Sequence, residues 1–550
     1  GYPKNIEIDV GKITKNIQTT LKPEQIDYYK VIEEIEDINK IYSPDVVFNS
    51  KQVGGWTRGL FENYYNNRNP KEPQPQKSIL FENETTPETT LVNKKKVINL
   101  LVQLLEKTTI LQNQIYGNTG KEMDHDKGFI YKTKVKDIEK VITFGDFHGS
   151  YHTFFRHMIR LETLGILKFE SFETGQSSES SELIDTIETL IEKLNRNTNY
   201  LNLDELPKIT ITPGYRLLFL GDILDRGMHS LEIVIFILIL IKSNNQYENG
   251  NPLEEPRIIY NRGNHEEYMT YKDFRIEYKS KIGNDDTKYK AFKKFFTSCP
   301  SAVILQNGED KSITNIWCCH GGIPYFEEEP QEEPQKEPQE EPQEEPQKEP
   351  QEEPQEFYKS VIDFLSEQNK TLDLNYDDAN QVRWNDLNVK RSNKGPRSEG
   401  EGPDWEIDQN TLKQILEKLK IDFLIRGHQD YNANTVLFVN KNDENDKAFE
   451  NGLDIQDIMQ PTAGDTPIAS QLGSEFTEFQ DTNMKPIASI HYKKNDETYL
   501  SYKFNESAAI NHAIAEKIKE LKAITISTNT DINRPLTRDS FVVIGFKTTD

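Results

Sequence analysis

The chain has 550 residues and few of the features that mark several large classes of protein. It contains three cysteines, two of them adjacent, so it lacks the spacing of a disulfide framework and fits a reducing compartment such as the cytoplasm. No apolar run approaches the roughly 18 residues of a membrane-spanning helix, and the longest, 233–241, has the length of a buried helix. No cationic start with a following apolar stretch is present, so we predict neither a secretory signal nor a membrane partner.

Basic residues are scarce relative to acidic ones. The sequence has 66 Lys and Arg against 91 Asp and Glu, which gives a net charge of −25. A chain this acidic repels phosphate backbones, so we expect no nucleic-acid partner. Hydrophobic residues make up only 35% of the chain, which indicates that part of it does not pack into a core. The Asn-, Lys- and Ile-rich composition is typical of an AT-rich genome, such as that of a large virus or an intracellular bacterium, for which the compartment would be the host cytosol.

Two parts of the chain carry no chemistry that their residues reveal. Residues 1–139 are polar, and we interpret them as an N-terminal accessory region that is partly helical, with an amphipathic helix over 96–116. Residues 327–356 form a Glu/Pro/Gln repeat with proline at every fourth position, which excludes a helix and predicts a disordered loop. The repeat has 14 glutamates and 2 lysines, a net charge of −12, so it is either a solvated loop or a docking arm for a basic partner.

Residues 140–550 have a different sequence pattern, and we assign them to one catalytic domain. Five short apolar runs end in glycine beside His, Asp or Asn: VITFGDFHG (141–149), RLLFLGDILDRG (216–227), RIIYNRGNHE (257–266), NIWCCHGG (315–322) and DFLIRGHQ (422–429). Such runs are typical of strands buried on both faces, and helical patterns lie between them. The alternation predicts an α/β fold with a largely parallel sheet and with ligands gathered beyond the carboxyl ends of its strands.

The last 120 residues or so contain further candidate elements. Apolar segments that predict strands lie at 435–439, 486–492, 498–504 and 541–547, and a helical pattern covers 508–521. We expect these strands to form a second sheet packed on the first.

The ends of the five runs hold the side chains that a two-metal hydrolase needs. Hydrolysis of a phosphate monoester at neutral pH requires a nucleophilic water, neutralisation of the charge on the phosphoryl oxygens and a proton for the leaving group. Two divalent ions supply the first and part of the second. Carboxylate, amide and imidazole groups hold such ions. The candidate ligands are Asp146, His148, Asp222, Asn264, His320 and His428. One Gly-Asp or Gly-His pair is more often a turn than a ligand, but five glycine-flanked strand ends in one chain, each with a ligand-type side chain, indicate a site.

In their order, GDFHG, GDILDRG, RGNHE, HGG and RGH resemble the phosphoprotein phosphatase family of calcineurin-like metallophosphoesterases. The adjacent cysteines before HGG and the sequence Trp384-Asn385-Asp386, which is similar to the family's WSD stretch, agree with this resemblance over about 140–430. It implies a β-sandwich flanked by helices, here with large insertions. It also implies a phosphatase for phosphoserine and phosphothreonine, with phosphotyrosine as a further candidate. The implied cofactors are two divalent ions, Mn²⁺ first, with iron and zinc as alternatives.

The resemblance also implies roles for the individual ligands. Asp146 and His148 would hold the first metal, Asp222 would bridge the two, and the second would be held by Asn264, His320 and His428. His265 would be the general acid that protonates the leaving oxygen, and Asp225 would orient it. The family's roles thus account for every predicted ligand.

Arginines are the candidate contacts to the substrate phosphate, because a planar guanidinium suits a pair of phosphoryl oxygens. Arg226 is the first choice, and Arg262 is either a second contact or a structural ion-pair partner. A further phosphate-binding arginine is expected between HGG and RGH, where we favour Arg397. Its competitors are Arg383 and Arg391.

The chain departs from the family in three places. A polar insertion at 168–212 lengthens the distance from Asp146 to Asp222 to 76 residues, and the Glu/Pro/Gln repeat is a second insertion. After RGHQ, no segment similar to the family's SAPNYC stretch is recognisable. Two other functions therefore stay open: hydrolysis of a small substrate such as a dinucleoside polyphosphate, and an inactive scaffold that binds phosphoproteins. The presence of every ligand and of His265 argues against the scaffold.

Overall fold

The structure is a computed structural model, which describes residues 87–118, 127–136, 138–149, 165–170, 208–225, 230–247, 250–267, 272–281, 286–308, 313–326, 354–388, 395–396, 405–429, 435–438, 453–454, 488–492, 498–501, 521–526 and 541–546, with single positions at 154, 157, 158, 161, 162, 203, 206 and 528.

The helices and strands whose bounds the structure gives are numbered in chain order. The helices are α1 (Pro87–Ile115), α2 (Ser230–Asn244), α3 (Lys272–Lys281), α4 (Asp286–Thr297), α5 (Pro354–Ser366), α6 (Tyr376–Trp384) and α7 (Gln409–Leu419). The strands are β1 (Gly128–Lys134), β2 (Lys140–Phe144), β3 (Leu167–Glu170), β4 (Lys208–Ile211), β5 (Tyr215–Phe219), β6 (Ile258–Tyr260), β7 (Ala302–Asn307), β8 (Thr314–Cys319), β9 (Thr371–Leu374), β10 (Asp386–Asn388), β11 (Gly395–Pro396), β12 (Trp405–Asp408), β13 (Phe423–Arg426), β14 (Thr435–Phe438), β15 (Leu453–Asp454), β16 (Ala488–Tyr492), β17 (Thr498–Ser501), β18 (Leu521–Thr525) and β19 (Phe541–Phe546).

Two large mixed sheets form the centre of the fold. One has the strand order β15-β14-β18-β13-β8-β7-β1-β9, and the other has the order β17-β16-β19-β2-β5-β6. Successive side chains of a strand point to opposite faces, so Phe129 and Tyr131 of β1 enter the core shared with the six-stranded sheet, whereas Ile130 enters a second core closed by α5, α6 and α7. The predicted β-sandwich flanked by helices is confirmed.

Within each sheet, the strands that carry the Gly-flanked motifs pair in parallel with one another. In one sheet β2 pairs with β5, and β5 with β6; in the other, β8 pairs with β13. The carboxyl ends of parallel neighbours lie at the same edge, which brings the motifs together. Antiparallel pairs such as β7–β8 and β2–β19 make both sheets mixed. The prediction of one largely parallel sheet therefore holds only in part, for pairs such as β2–β5, β5–β6 and β8–β13.

The C-terminal strands extend the two sheets and do not form one of their own, so that prediction is wrong. β14 joins the eight-stranded sheet, whereas β16, β17 and β19 join the six-stranded sheet, where β19 pairs with β2. Pairing with a motif strand satisfies backbone groups that a separate sheet would leave at an edge. Leu521, the end of the predicted helix, begins strand β18, and residues 508–520 lie outside the described residues.

The two predicted insertions begin and end at defined elements. β3 and β4 pair in antiparallel fashion, Leu167 with Ile211, at the base of the insertion 168–212. The repeat 327–356 ends earlier than predicted, because α5 begins at Pro354; proline is tolerated in the first turn of a helix, where its missing N–H is not needed. The ring of Phe326, just before the repeat, lies 5.7 Å from that of Phe357, so the two ends of the repeat are close.

The N-terminal helix packs into the core beside the six-stranded sheet. It extends from Pro87 to Ile115, longer than predicted, and buries Leu104 and Leu105. Its Gln112 accepts a hydrogen bond from Ser298 Oγ at 2.7 Å. A separate accessory region over 1–139 stays a prediction, although α1 and β1 both lie before residue 140 and contribute to the core. Among the helices of the described residues, none has both the length and the apolar character needed to cross a membrane.

Candidate active site

The carboxyl ends of five strands converge on one site. Asp146 follows β2, Asp222 follows β5, Asn264 follows β6, His320 follows β8 and His428 follows β13. All of these side chains are buried except that of His428, which is slightly exposed. The structure therefore brings together every ligand predicted from the motifs.

Asp222 lies at the centre of the site. Its Oδ2 atom is 3.0 Å from His320 Nε2, 3.6 Å from His148 Nε2 and 3.9 Å from His265 Nε2. Potential ligand atoms cluster in two groups, one of His148, Asp222 and His265, the other of Asp222, His320 and His428. Asp222 belongs to both groups, which is the position of a bridging carboxylate.

Asp146 lies close to one histidine of each group. Its Oδ2 is 3.8 Å from His148 Nε2, and its Oδ1 is 3.8 Å from His320 Nδ1. The backbone N–H of His428 donates to Asp146 Oδ1 at 3.1 Å. Asp146 therefore contacts residues of both groups, whereas the family resemblance assigns it to the first metal alone.

The side-chain amide of Asn264 lies against the second group. Its oxygen is 3.2 Å from His428 Nδ1 and faces acceptor atoms only. Exchanging the amide nitrogen and oxygen would place a donor 2.7 Å from His320 Nε2 and 3.1 Å from Asp222 Oδ2. Carboxylate, amide and imidazole atoms that converge in this way can form the ligand set of a cation, so these residues fit a metal ion.

The chemistry of the donors supports the same fit. Carboxylate, amide and imidazole groups are the ligands that Mn²⁺, iron and zinc take in proteins. His320 Nδ1 is buried and has no hydrogen-bond partner among the described residues, as expected of a nitrogen available to an ion. The residues present therefore fit two divalent ions.

Contacts behind the ligands orient their rings. His148 Nδ1 lies 2.9 Å from Leu224 O, which leaves Nε2 facing Asp146 and Asp222. His428 Nε2 lies 3.3 Å from Asp386 Oδ1, which leaves Nδ1 facing Asn264. A second partner that fixes the orientation of an imidazole is characteristic of histidines that bind metals.

Several site residues have a left-handed backbone. The φ angles of His148, Asp222, Asp225 and His428 are 44°, 53°, 66° and 72°. Lys420 is the one other non-glycine residue with positive φ among the described residues. This conformation costs about 1 kcal/mol or more for each non-glycine residue and concentrates at functional sites.

Glu266 holds the strained turn around Asp222. Its buried carboxylate accepts hydrogen bonds from the backbone N–H groups of Asp222, Ile223 and Gly263, each at 2.8 Å. Burial and the neighbouring Asp222 carboxylate raise the pKa of Glu266. Gly263 is required here, because a Cβ at this position would overlap Asp222 Oδ1.

His265 and Asp225 form a hydrogen-bonded pair beside the ligands. His265 Nδ1 is 2.8 Å from Asp225 Oδ2, and the other oxygen of Asp225 accepts a hydrogen bond from Phe274 N at 2.7 Å. The His265 side chain is 20% exposed, whereas those of Asp146, His148, Asp222 and His320 are at most 1% exposed and that of His428 is 7% exposed. It is therefore the histidine that a leaving group could reach from solvent.

The charges of the site act on one another. Burial by itself raises the pKa of Asp222, but the histidines His320, His265 and His148 outweigh it and hold that pKa well below its usual range. Burial lowers the pKa of His320, yet Asp222 and Asp146 outweigh it, and the pKa is raised. Burial lowers the pKa of His428 to about 4, so at neutral pH its imidazole is neutral, as a metal ligand must be.

Three of the candidate arginines lie outside the described residues: Arg226, Arg391 and Arg397. Arg262 is buried, and its Nη1 donates to Lys127 O at 3.3 Å. Arg383 is also buried; it forms an ion pair with Glu267 and donates to Ser301 Oγ at 3.3 Å. These contacts are all within the protein, and phosphate binding by Arg262 stays a prediction.

Arg426 is a site residue that the motifs did not single out. It is fully buried, and its guanidinium donates to Gly321 O, to Gln429 Oε1, to Asn385 O at 3.1 Å and to Thr525 Oγ1 at 3.3 Å. These acceptors belong to the HGG, RGHQ and Trp-Asn-Asp sequences and to β18. Glu266 and Asp386 were likewise present in the matched motifs, but only their burial and their contacts reveal what they hold.

The cysteines play no part in this chemistry. All three are buried, and burial raises the pKa of Cys319 to about 12 and those of Cys299 and Cys318 well above their usual range. A buried, protonated thiol is a small core side chain and not a nucleophile.

At the strand ends of this sandwich, the carboxylate of Asp222 belongs to two groups of candidate ligands that both contain histidines. This fold and this site define a metal-dependent hydrolase. Residues 139–431, more than half of the chain, match the family described as calcineurin-like phosphoesterase. The chain belongs to this family of metallophosphoesterases, which confirms the resemblance at that level.

Among solved structures, the chain is similar to one described as a protein serine/threonine phosphatase from Saccharomyces cerevisiae with similarity to human phosphatase PP5. The two are 15% identical, the match covers 62% of this chain and 74% of that chain, and the TM-score is 0.33. At these values the likeness has no bearing on the substrate of this chain.

Proposed function

We propose that the chain is a phosphomonoester hydrolase of the phosphoprotein phosphatase type, with a dinuclear metal centre. The observation that carries the proposal is the position of Asp222, which belongs to both groups of candidate ligands. Asp146, His148 and Asp222 would hold one ion, and Asp222, Asn264, His320 and His428 the other. Two such ions, Mn²⁺ or alternatively iron or zinc, would neutralise phosphoryl charge and activate the attacking water.

His265 is the candidate general acid. Its Nδ1 is engaged by Asp225 at 2.8 Å, so the proton that it could deliver is the one on Nε2, the nitrogen that faces Asp222. Asp225 would fix the ring orientation and favour the charged imidazolium before transfer. The partial exposure of the His265 side chain supports contact with a leaving oxygen.

Arg226 and Arg397 are proposed to bind the equatorial phosphoryl oxygens. The family resemblance supports both, and their positions in the chain place them after Asp225 and in the glycine-containing stretch before the RGH motif. Arg262 is a weaker candidate, because its burial and its bond to Lys127 O favour a structural role. Loss of substrate affinity in Arg397→Ala, with Mn²⁺ binding intact, would support the assignment.

Phosphoserine and phosphothreonine in proteins are the proposed substrates, with phosphotyrosine as a further candidate. The motif order that resembles the phosphoprotein phosphatases supports this choice over dinucleoside polyphosphates. Initial rates on a panel of phosphopeptides and on diadenosine polyphosphates would separate the two. Faster hydrolysis of the dinucleotides would overturn the protein-phosphatase assignment and leave the metal chemistry intact.

The acidic repeat is proposed to attract basic segments of a phosphoprotein. Tyr358 Oη donates to Pro324 O at 3.2 Å, and this contact, with the Phe326–Phe357 pair, holds both ends of the repeat close together. Pro324 is four residues after the ligand His320, so a charge of −12 begins near the cleft. Deletion of residues 327–353 should raise KM for phosphopeptides with basic flanks and leave KM for neutral peptides unchanged; equal KM values for both would contradict docking.

Hydrolysis of two aryl phosphates by protein stripped of metal and reloaded with Mn²⁺ tests the central proposal. Wild type should turn over p-nitrophenyl phosphate only after reloading. His265→Asn should lose about 100-fold or more on phenyl phosphate and less on p-nitrophenyl phosphate, whose leaving group needs little protonation. Absence of turnover with Mn²⁺, iron or zinc, in protein with an unchanged circular dichroism spectrum, would favour the phosphoprotein-binding scaffold.

A further inference from the structure

A C-terminal segment beyond the matched family region reaches the candidate metal site. Strand β18 pairs in parallel with β13, with Leu424 opposite Ala523 and Arg426 opposite Thr525. The carboxyl end of β18 therefore lies at the same edge as His428, which follows β13. The family match ends at residue 431, about 90 residues before this segment begins.

Thr528 forms hydrogen bonds with the backbone at the candidate ligand Asp146. Its side chain is fully buried. The N–H of Gly145 donates to Thr528 Oγ1 at 2.8 Å, and the N–H of Thr528 donates to Asp146 O at 3.2 Å. These two bonds lie on either side of the Gly145–Asp146 peptide bond. They therefore fix the backbone position of Asp146, and with it the position of its carboxylate.

The same segment binds the backbone that carries the second group. The N–H of Ile526 donates to Arg426 O at 2.8 Å, and Arg426 Nη1 donates to Thr525 Oγ1 at 3.3 Å. Arg426 is two residues before His428, whose own N–H donates to Asp146 Oδ1 at 3.1 Å. Thr525, Ile526 and Thr528 therefore contact both the backbone of Asp146 and the strand that precedes His428.

We infer that Thr528 is a positioning residue for the metal centre, an assignment that rests on the proposed function. Asp146 contacts residues of both ligand groups, so a shift of its backbone changes both. Without the Thr528 hydroxyl, the Gly145 N–H is a buried donor with no acceptor, and the strand end relaxes to find one. The ligands are then no longer held at the spacing that two ions require.

Thr528→Val in the full chain tests this inference, since valine keeps the branched shape and removes only the hydroxyl. Isothermal titration of metal-stripped protein with Mn²⁺ should show affinity about tenfold or more weaker than that of wild type, as expected for one unpaired buried donor. Hydrogen exchange at Gly145, read from peptides that cover 141–149, should accelerate. Thr528→Ser restores the hydroxyl and should recover most of the Mn²⁺ affinity.

Thr108→Val is the matched control, because Thr108 is a fully buried threonine whose hydroxyl donates to Leu104 O at 2.6 Å, within α1, a helix that holds none of the candidate ligands. It should leave Mn²⁺ affinity and Gly145 exchange unchanged. Wild-type affinity and exchange in Thr528→Val would overturn the inference, as would equal losses in Thr528→Val and Thr528→Ser. Mn²⁺ binding is measured without a substrate. A wild type that binds Mn²⁺ but hydrolyses no phosphoester would therefore contradict the proposed function and leave the inference about Thr528 standing.

Discussion

Asp225 accepts a hydrogen bond from His265 Nδ1 at 2.8 Å, and its other oxygen accepts one from the Phe274 amide at 2.7 Å. One carboxylate thus joins the candidate acid to the beginning of α3. The orientation of His265 depends in this way on a helix that holds none of the metal ligands. Asp225 itself has a left-handed backbone, with φ of 66°.

Asp225→Asn should impair proton donation without removing metal. The amide can accept from only one of the two N–H groups, so His265 loses its fixed tautomer and its charged partner. We expect kcat on phenyl phosphate to fall about 10- to 100-fold and kcat on p-nitrophenyl phosphate to fall less. Asp363→Asn on the exposed face of α5 is the control. An equal loss on both esters would argue against a role in proton transfer.

Asp222→Asn should remove both metals, because Asp222 belongs to both ligand groups. His428→Ala should remove only the second metal, since Asp146, His148 and Asp222 remain. The metal content of protein reloaded with Mn²⁺ and passed through a desalting column, measured by mass spectrometry, should be near two ions for wild type, near one for His428→Ala and near zero for Asp222→Asn. Two retained ions in Asp222→Asn would refute the bridging position.

Glu266→Gln should destabilise the turn that presents Asp222. Glutamine offers one acceptor and one donor where three backbone N–H groups need acceptors, so at least one is left unpaired at a cost of about 1–3 kcal/mol. Urea unfolding of metal-free protein measures this loss, and Mn²⁺ titration should show weaker binding.

Glu277→Gln is the matched control for Glu266. Its carboxylate accepts from the N–H groups of Ser230 and Leu231, at 3.1 and 3.0 Å, at the beginning of α2. It should lower the free energy of unfolding to a similar extent and leave Mn²⁺ affinity unchanged. Weaker Mn²⁺ binding in both variants would mean that the effect of Glu266 is general loss of stability.

Lys132 should make stability depend on pH in alkaline solution. Its ammonium donates to Phe364 O and to Glu367 O, the latter at 2.8 Å, near the end of α5, and lies 4.5 Å from the Phe364 ring. Burial lowers its pKa from 10.5 to about 8. Between these values the unfolded chain binds more protons than the folded one, so stability attributable to Lys132 rises with pH.

The comparison of wild type with Lys132→Met isolates this contribution. The difference in free energy of unfolding, wild type minus variant, should increase as pH rises from about 8 to about 10.5 and stay level below pH 8. Circular dichroism during urea unfolding at several pH values gives the difference. A difference that stays level or falls over this range would show that the folded protein keeps Lys132 protonated.

The ligands were predictable because their signal is local. A buried strand followed by glycine and a polar side chain is a short pattern, and Asp146, Asp222 and His320 each occur in one. Parallel strands place such ends at a common edge, so the sequence suffices to predict a shared site. The family motif order then adds the roles of His265 and Asp225, which composition and spacing alone do not contain.

The contacts that hold those ligands could not be predicted, because they join residues far apart in the chain. Glu266 lies within a recognised motif, yet its clamp on the Asp222 turn depends on how β5 and β6 pair. The contacts of Arg426 and Thr528 depend on the pairing of β18 with β13. The sequence pattern predicted a helix that ends at residue 521 and no element for the residues directly after it. Sequence by itself therefore determined which atoms can bind metal, through patterns a few residues long. Only the tertiary structure decided which sheet each strand joins, and hence which distant donors and acceptors hold those atoms in place, because strand pairing is set by packing across the whole sandwich.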